Sequence, residues 1–521
     1  MFLKLKLINH FNYILRMKKV VFSLAALLSA TMMVAQSNNS NVTQTGDNNS
    51  ADITQTGLEN GSVTTQEGMS NTAVAVQGSD SFASRNGLVV QTQTGNKNSA
   101  FAQHEEDRNQ VYQEQIGDGN SASASQNLAF FGGDNLSDQL QEGNANTATT
   151  TQEGEFNTAV QLQFGDSNSA TSSQEGASNF SGSLQEGGFN SATIAQVGEA
   201  NASEQYQLGE SNSAVGEQWG TDNSLYQDQD GGGNSATSIQ GSSLFDSRGG
   251  TVEQIQIGEE NTAFANHEED NNYIGQGQLG DGNSASADQN LGSFGGNNSV
   301  LQIQIGNGNI ADASQNGSDN VSDQDQGGDE NLALVTQSGT ENTAIQSQSG
   351  VGNSAEAVQG GFFFTSRGGT VDQFQSGDEN VAFGRHEEDD NIITQTQLGN
   401  GNSAAVTQNI LTFGGENFSQ QFQIGDGNIA EASQEGGSGL SGEGNIVSQI
   451  QLGNENIALS SQSGAGNISD IFQAGDMNLA EDTQLGADNF TFVTQSGNMN
   501  SSIILQNGTA NSAIVTQTGS N

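Results

Sequence analysis

An eleven-residue repeat organises this chain from Gln44 to Gln517. The stretch Gln44–Gly57, QTGDNNSADITQTG, shows the unit as Q-x-G-x-x-N-x-A-x-x-x, followed by the next Q-x-G. Counting every unit, including three in which His replaces Gln, gives 41 units. Such regular repetition indicates a stacked architecture, because a unit of this size can bury one face only against its neighbours.

Residue types alternate with period two within each unit. In NTAVQLQ, the side chains of Asn157, Ala159, Gln161 and Gln163 share one face, and the intervening residues share the other. Period two predicts a β-strand. The x-G-x-x segment that follows predicts a tight turn, where glycine adopts a positive φ without steric cost. Each unit is therefore expected to be a short strand and a turn.

Neighbouring units differ in pattern, so the complete repeat has two strands. One type reads N-S/T-A-x-small-x-Q, as in Asn168–Gln174, and the other carries an additional Gln, as in Asn445–Gln451. We predict an all-β fold: a cross-β solenoid of about twenty 22-residue strand-turn-strand-turn coils that form two facing parallel sheets. Its thin interior is expected to hold Ala, Ser, Thr and some Ile or Val.

Asn and Gln side chains are expected to stack in register along the solenoid axis. Amides that repeat every ~4.8 Å can hydrogen-bond to one another, and an unpaired buried amide is costly, which penalises slips of register. The expected amide ladder comprises Gln141, Asn146, Gln152, Asn157, Gln163, Asn168, Gln174, Asn179, Gln185, Asn190 and Gln196.

The composition argues against an ordinary globular domain and against several classes of partner. The chain has 11 Lys+Arg against 60 Asp+Glu, no Pro, no Cys and only 32% apolar residues. Low hydrophobicity with high charge is typical of disorder, but disorder does not maintain the observed repeat. An acidic surface disfavours nucleic acid and anionic membranes as partners, since both bind Lys and Arg.

Residues 1–35 have the pattern of a secretory signal peptide. Lys18 and Lys19 precede a short apolar segment, and our hypothesis is that translation starts at Met17. No further apolar run is long enough to span a membrane. We expect an exported, soluble mature chain in which residues 36–521 form a single solenoid.

Interruptions of the repeat follow only even-numbered units. In a two-strand coil these units all turn at the same edge, so one edge carries the insertions and the opposite edge stays plain. The predicted edge loops lie near residues 78–92, 104–109, 127–135, 241–250, 267–272, 290–298, 360–369, 386–391, 409–417 and 435–445.

Three of these edge segments contain the motif HEED. In FAQHEEDRN, His104 occupies the position of the ladder glutamine, and the motif recurs twice further along the chain. Because it combines imidazole and carboxylate groups, the motif is a candidate cation or ligand site. The candidate residues are His104, Glu105, Glu106, His267, Glu268, Glu269, His386, Glu387 and Glu388.

A loop containing SRNG or SRGG precedes each HEED segment by one coil. Arg85, Arg248 and Arg367 are therefore expected ~5 Å from the HEED carboxylates, where they form edge ion pairs. We favour ion pairing over a metal site, because an arginine beside the carboxylates disfavours a metal. No catalytic residue, cofactor or enzymatic activity is predicted. Phe-rich loops such as residues 362–364 either bury against each other or form a sticky patch for neighbouring fibrils.

The motif Q-x-G-x-x-N-x-A-x-x-x-Q closely resembles the curlin repeat of curli, the extracellular functional amyloid of bacterial biofilms. The resemblance covers essentially all of residues 36–521. It implies a secreted structural subunit that leaves the cell through an outer-membrane pore, folds on a nucleator subunit and stacks end to end into a fibre. The chain departs from the family pattern in its many repeats, its edge insertions and its short N-terminal export segment.

The predicted fibre ends are two short groups of residues: Val42 and Gln44 at one end, and Asn511, Ala513 and Gln517 at the other. An odd number of strands means that a subunit junction either leaves a vacancy or turns the next subunit by half a revolution.

Two alternative functions belong to other classes of protein. A soluble monomeric adhesin would bind a surface or cation through the decorated edge, and a β-helical polysaccharide enzyme would need a catalytic cleft.

Overall fold

The computed structural model consists of two parallel β-sheets that face each other across a narrow interior. It describes residues 38–79, 83–128, 132–290, 295–361, 365–410, 415–436 and 444–519. Every regular element in these ranges is a β-strand. The predicted all-β solenoid with two facing parallel sheets is therefore confirmed. The predicted signal peptide and the Phe-rich segment 362–364 lie outside the described residues.

Sheet 1 contains 21 strands, which correspond to the odd-numbered units. They are β1 Asn39–Thr45, β4 Gly61–Met69, β7 Leu88–Asn96, β9 Gln110–Ile116, β11 Leu136–Glu142, β13 Thr158–Asp166, β15 Phe180–Gly188, β17 Ala202–Glu210, β19 Ser224–Gly232, β22 Thr251–Glu259, β24 Tyr273–Leu279, β26 Ser299–Ile305, β28 Val321–Gly327, β30 Thr343–Ser349, β33 Thr370–Ser376, β35 Ile392–Leu398, β37 Phe418–Ile424, β39 Ile446–Leu452, β41 Ile468–Ala474, β43 Phe490–Ser496 and β45 Ser512–Thr518.

Sheet 2 contains the strands of the even-numbered units. They are β2 Ser50–Gln55, β5 Thr72–Gln77, β8 Ser99–His104, β10 Ser121–Gln126, β12 Thr147–Glu155, β14 Ser169–Ala177, β16 Ser191–Glu199, β18 Ser213–Thr221, β20 Ser235–Gln240, β23 Thr262–His267, β25 Ser284–Gln289, β27 Ile310–Ser318, β29 Leu332–Thr340, β31 Ser354–Gln359, β34 Val381–His386, β36 Ser403–Gln408, β38 Ile429–Glu435, β40 Ile457–Ser463, β42 Leu479–Ala487 and β44 Ser501–Thr509. Four two-residue strands lie in turns and loops: β3 Gly57–Leu58, β6 Ser84–Arg85, β21 Ser247–Arg248 and β32 Ser366–Arg367.

Each long strand pairs in parallel with the next strand of its own sheet, one coil further along the axis. Between β13 and β15, Gln163 lies opposite Gln185, 22 residues later. Between β5 and β8, a longer loop intervenes, yet Gln77 still lies opposite His104. The insertions therefore lengthen the connections without shifting the register of the strands.

The inward-facing side chains are small or carry amides. Asn157, Ala159, Gln161 and Gln163 are all buried, as the alternation predicts. Ala, Val and a few larger aliphatic side chains fill the space between the amides, with one continuous cluster that runs from Leu225 to Val447. Because these side chains are small, the two sheets approach closely enough for glutamines of one sheet to reach the backbone of the other.

Glycine is required at the first turn position of the repeat. Gly165 has a φ of 105°, and a Cβ there would collide with the carbonyl oxygen of Gly187 in the next coil. Turns of successive coils thus stack at backbone contact distance. This explains the glycine of Q-x-G, because any side chain at this position would push the coils apart.

All the long loops leave from strands of sheet 2 and lie on one edge. They follow β5, β10, β20, β25, β31, β36 and β38. The connection after β5 ends before residue 92, because β7 begins at Leu88 and pairs there with β4. Each HEED histidine is the last residue of its strand, so the HEED turns begin one residue later than predicted.

Candidate functional site

The buried glutamines form hydrogen-bonded ladders along the axis. In sheet 1, Nε2 of Gln141 donates to Oε1 of Gln163 at 2.8 Å, and Gln163 donates to Gln185 at 2.8 Å. Nε2 of Gln163 also donates across the interior to the carbonyl oxygen of Thr147, at 3.0 Å. Each amide therefore links one coil to the next and one sheet to the other.

Sheet 2 contains an equivalent ladder. Gln152 donates to Gln174, and Gln174 donates to Gln196, each at 2.8 Å. In both ladders the donating N–H points towards the coil that comes later in the sequence. The ladders therefore have a direction, with donors facing one end of the solenoid and acceptors facing the other.

The asparagines stack in register but use mainly backbone partners. The backbone N–H of Asn168 donates to Oδ1 of Asn146 at 2.9 Å, while Nδ2 of Asn146 donates to the carbonyl oxygen of Gly165 at 2.7 Å. A direct contact between side-chain amides also occurs, from Asn179 Nδ2 to Asn157 Oδ1 at 3.1 Å. Asparagine at this position thus satisfies the polar backbone of the turns.

The three HEED histidines replace ladder glutamines inside the solenoid. His104, His267 and His386 are each 0% exposed, and burial lowers the pKa of His104 to about 4 and those of the other two to about 3. Nε2 of Gln77 lies 3.1 Å from Nε2 of His104. Because the amide nitrogen can only donate, the histidine accepts at Nε2 and carries its proton on Nδ1.

That Nδ1 proton faces a serine of the preceding loop. The Ser84 hydroxyl lies 3.3 Å from Nδ1 of His104 and itself donates to Oδ1 of Asn60 at 3.0 Å. The same contact occurs between Ser366 and His386, at 3.3 Å. The third copy is Ser247 with His267, at 3.4 Å. The serines of SRNG and SRGG therefore bind the HEED histidines.

The last glycine of each SRNG or SRGG segment makes room for the imidazole. A Cβ on Gly87, Gly250 or Gly369 would collide with Cε1 of the adjacent histidine. Sequence reasoning missed these serines and glycines. The signal was present, because an S-R-x-G segment precedes every HEED by one coil.

Each histidine interrupts the direction of the ladder. The next glutamines in sheet 2 are Gln126, Gln289 and Gln408, and the Oε1 atom of each is buried without a hydrogen-bond partner among the described residues. These acceptors face the position from which a ladder glutamine would donate. A histidine with its proton on Nδ1 has no donor at Nε2, which explains the three orphaned oxygens. Nε2 of His267 is itself buried without a partner among the described residues.

The HEED carboxylates do not converge on a metal site. Glu105 and Glu387 are buried. Burial is the main cause that raises the pKa of Glu106, and the neighbouring carboxylates of Asp107 and Glu105 add to it. Burial and adjacent acids likewise raise the pKa values of Glu269 and Glu388. In the described part of the chain, no group of three or more His, Asp or Glu side chains is arranged to hold a metal ion.

Two of the three arginines in the SRNG and SRGG segments contact groups other than the HEED carboxylates. Nε of Arg367 lies 3.5 Å from Oε2 of Glu341, which precedes it by one coil. Nε of Arg248 donates to Oγ1 of Thr221 at 3.4 Å. Among the described residues, Arg85 forms no ion pair with a HEED carboxylate. These long side chains are exposed, so nearby surface groups decide their direction.

The shorter ion pairs of this edge come from two arginines of the HEED segments, Arg108 and Arg385. Arg108 makes a bidentate contact with Asp134 in the following loop, at 2.7 and 2.6 Å. Nη2 of Arg385 lies 2.7 Å from Oε1 of Glu387. The backbone of the SR segments nevertheless pairs with the HEED turns, since the N–H of Arg108 donates to the carbonyl oxygen of Arg85 at 2.8 Å.

The first and last described strands each have an unpaired edge. Among the described residues, β1 pairs only with β4, and β45 pairs only with β43. Val42 is 45% exposed although it points inwards, because no coil precedes it in the described structure. The predicted end residues Gln44, Asn511, Ala513 and Gln517 belong to these two terminal coils.

No helix among the described residues is long and apolar enough to cross a membrane.

Comparison with known proteins identifies the repeat. No curated protein matches the chain. The curlin associated repeat matches three segments, residues 46–78, 143–176 and 486–519. The segments lie at both ends and in the N-terminal half of one continuous solenoid, in which the same unit recurs throughout, and the chain is therefore a curlin-repeat protein.

Proposed function

We propose that this protein is the structural subunit of a secreted, curli-like amyloid fibre that assembles end to end at the bacterial surface. Curlin repeats and a β-solenoid fold fit a curli-like structural protein. In the fibre, the subunit contributes to biofilm matrix, adhesion and aggregation. One observation carries the proposal: the glutamine ladders run in one direction to strands with unpaired edges.

The two ends of the described solenoid are complementary. Gln44 donates to Gln66, so its own Oε1 faces outwards as an acceptor. Gln495 donates to Gln517, whose N–H meets no later ladder glutamine among the described residues. A head-to-tail contact places donors opposite acceptors, whereas a head-to-head contact places acceptors opposite acceptors. Such heterologous contacts do not close and therefore produce a filament.

Export and nucleation complete the proposal. The signal-peptide pattern of residues 1–35 supports secretion, and family membership supports an outer-membrane pore and a nucleator subunit as partners. The histidines of the HEED turns are buried and bonded to glutamine or serine, which supports a structural role over an enzymatic one. About twenty coils at ~4.8 Å give a subunit ~100 Å long.

The test is fibre formation by residues 36–521 after removal of denaturant. Electron microscopy and thioflavin fluorescence should show thin unbranched fibres, and sonicated fibres should seed fresh protein without a lag. A β-rich chain that stays monomeric would contradict the proposal. That outcome would instead favour a monomeric adhesin that uses the HEED edge as its binding site for a cell or material surface, or for a cation.

A further inference from the structure

The outer face of sheet 1 carries an uninterrupted apolar column near its C-terminal end. The first outward residues of β35, β37, β39, β41 and β43 lie directly opposite one another in register. They are Ile392, Phe418, Ile446, Ile468 and Phe490. Large apolar side chains thus repeat at every coil along ~19 Å, at ~4.8 Å per strand spacing.

A second apolar row runs beside this column. Phe422, Ile450 and Phe472 occupy one outward position of β37, β39 and β41, again in register. Within the five strands, the only outward carboxylate is Asp470 of β41. We call the outward surface of β35, β37, β39, β41 and β43 the apolar face.

The same side of sheet 1 is acidic before the apolar face begins. Asp372 on β33, Asp323 and Asp325 on β28, and Glu253 on β22 all point outwards. Two copies facing each other would bring these carboxylates together over most of the sheet, which is unfavourable. The apolar face can contact its own copy without opposing carboxylate rows.

We infer that the apolar face is a lateral contact between two copies of this chain, paired face to face about a twofold axis that lies between the two copies of sheet 1, parallel to β39. This inference rests on the proposed function, because end-to-end growth repeats the apolar face once per subunit along each filament. A second copy is the partner that fits best, since its apolar face has the same spacing between rows and is self-complementary under twofold symmetry.

The dimensions of the face suit such a pair. Five strands at ~4.8 Å and seven residues at ~3.3 Å give roughly 500 Å² on each copy. Two such faces bury about 1,000 Å² together, near the lower limit for a specific interface. One contact of this size is weak in isolation. It recurs once per subunit along a fibre, so many contacts act together to hold two filaments side by side.

Two isoleucines of equal exposure provide a matched test. Ile446 is 40% exposed within the apolar face, and Ile345 on β30 is 39% exposed outside it. Fibres of the wild type and of Ile345→Asp should appear paired in negative-stain electron micrographs. Ile446→Asp should leave single filaments, because it places a carboxylate opposite its own copy within the contact.

Cysteine cross-linking tests the same geometry without adding charge, since the chain contains no cysteine. Ser448→Cys, at the centre of β39, should give interchain disulfides on non-reducing gels, and Ser347→Cys on β30 should not. Equal pairing of both aspartate variants, or no cross-link at Ser448→Cys in fibres, overturns the inference and leaves the proposed function intact.

Absence of fibres would contradict the proposed function. The lateral contact would then be tested by the oligomeric state of the unassembled protein, measured by analytical ultracentrifugation. There, a dimer that Ile446→Asp abolishes still supports the lateral contact. A monomer in every variant overturns it.

Discussion

The Ser84 hydroxyl lies 3.3 Å from Nδ1 of His104, which follows it by 20 residues and sits one coil further along the axis. This buried contact joins the SRNG loop to the HEED turn. It explains why the two motifs occur together three times, because serine binds the imidazole and the adjacent glycine leaves room for it. The HEED motif is thereby explained as part of the architecture of the decorated edge.

Replacing the histidine by glutamine should strengthen the ladder. In His104→Gln, the new amide can accept from Gln77 and donate to Gln126 Oε1, which is buried without a partner among the described residues. The expected gain in local stability is about 1 kcal/mol. Hydrogen exchange of β8 and β10 should slow accordingly. Faster exchange in these strands would show that the serine contact outweighs the missing donor.

The buried histidines should make the decorated edge sensitive to acid. Burial lowers the pKa of His104 to about 4 from an ordinary value of 6.5, so the unfolded chain binds more protons. The native state keeps its full stability above pH 6.5 and loses stability as the pH falls towards 4, by up to about 3 kcal/mol for His104.

Hydrogen exchange of β8, corrected for intrinsic rates, is the measurement of this effect. It should accelerate between pH 6.5 and pH 4 in the wild type and much less in His104→Gln. Identical pH profiles of the two proteins would argue against a buried neutral histidine.

Asp482 should destabilise the C-terminal coils at neutral pH. This carboxylate is 1% exposed, its Oδ2 has no partner among the described residues, and burial raises its pKa to about 6. Asp482→Asn should therefore stabilise β42 by roughly 2 to 3 kcal/mol above pH 6. The gain should disappear as the pH falls towards 3.8, where the native carboxyl is protonated in both states.

The neighbouring Glu481 points outwards and provides the control. Glu481→Gln should change hydrogen exchange of β42 little at any pH. An equal effect of both substitutions would mean that net charge, and not burial of Asp482, limits local stability.

Two glycines of one turn region should differ sharply in their tolerance of alanine. Gly165 has a φ of 105° and faces the Gly187 carbonyl, whereas the nearest atom to a Cβ on Gly188 is the carbonyl oxygen of Asp166, 3.4 Å away. Gly165→Ala should cost at least 1 to 3 kcal/mol from backbone strain alone, at an order-of-magnitude level. Gly188→Ala should be nearly neutral. Chemical denaturation and fibre yield compare the two.

Proline at the last described strand should block elongation without unfolding the subunit. Phe490 donates its N–H to the Asn511 carbonyl, so outward residues donate towards the later coil, and the N–H of Ile514 projects from the unpaired edge of β45. Ile514→Pro removes that donor and places its ring at the edge. Seeded elongation should fall at least tenfold, whereas Ile514→Ala, which retains the N–H, should elongate normally.

The repeated sequence by itself determined the coil, the single decorated edge and the ladder. A period of two within units and of 22 between them leaves one economical arrangement, and the parity of the insertions assigns them to one edge. The tertiary structure alone decided which groups meet. In the structure, the HEED turn contacts Ser84 and not the Arg85 side chain. Exposed guanidinium groups orient towards nearby surface charges, whereas a buried imidazole packs only against groups that fit its shape.

The apolar face was likewise hidden in the sequence. Ile392, Phe418, Ile446, Ile468 and Phe490 are separated by 22 to 28 residues, since the loops between coils vary in length. Only stacking in register brings them into one column. The local repeat therefore determined the unit and its direction, whereas the long-range contacts of the fold decided its surface, its buried network and its orphaned polar atoms.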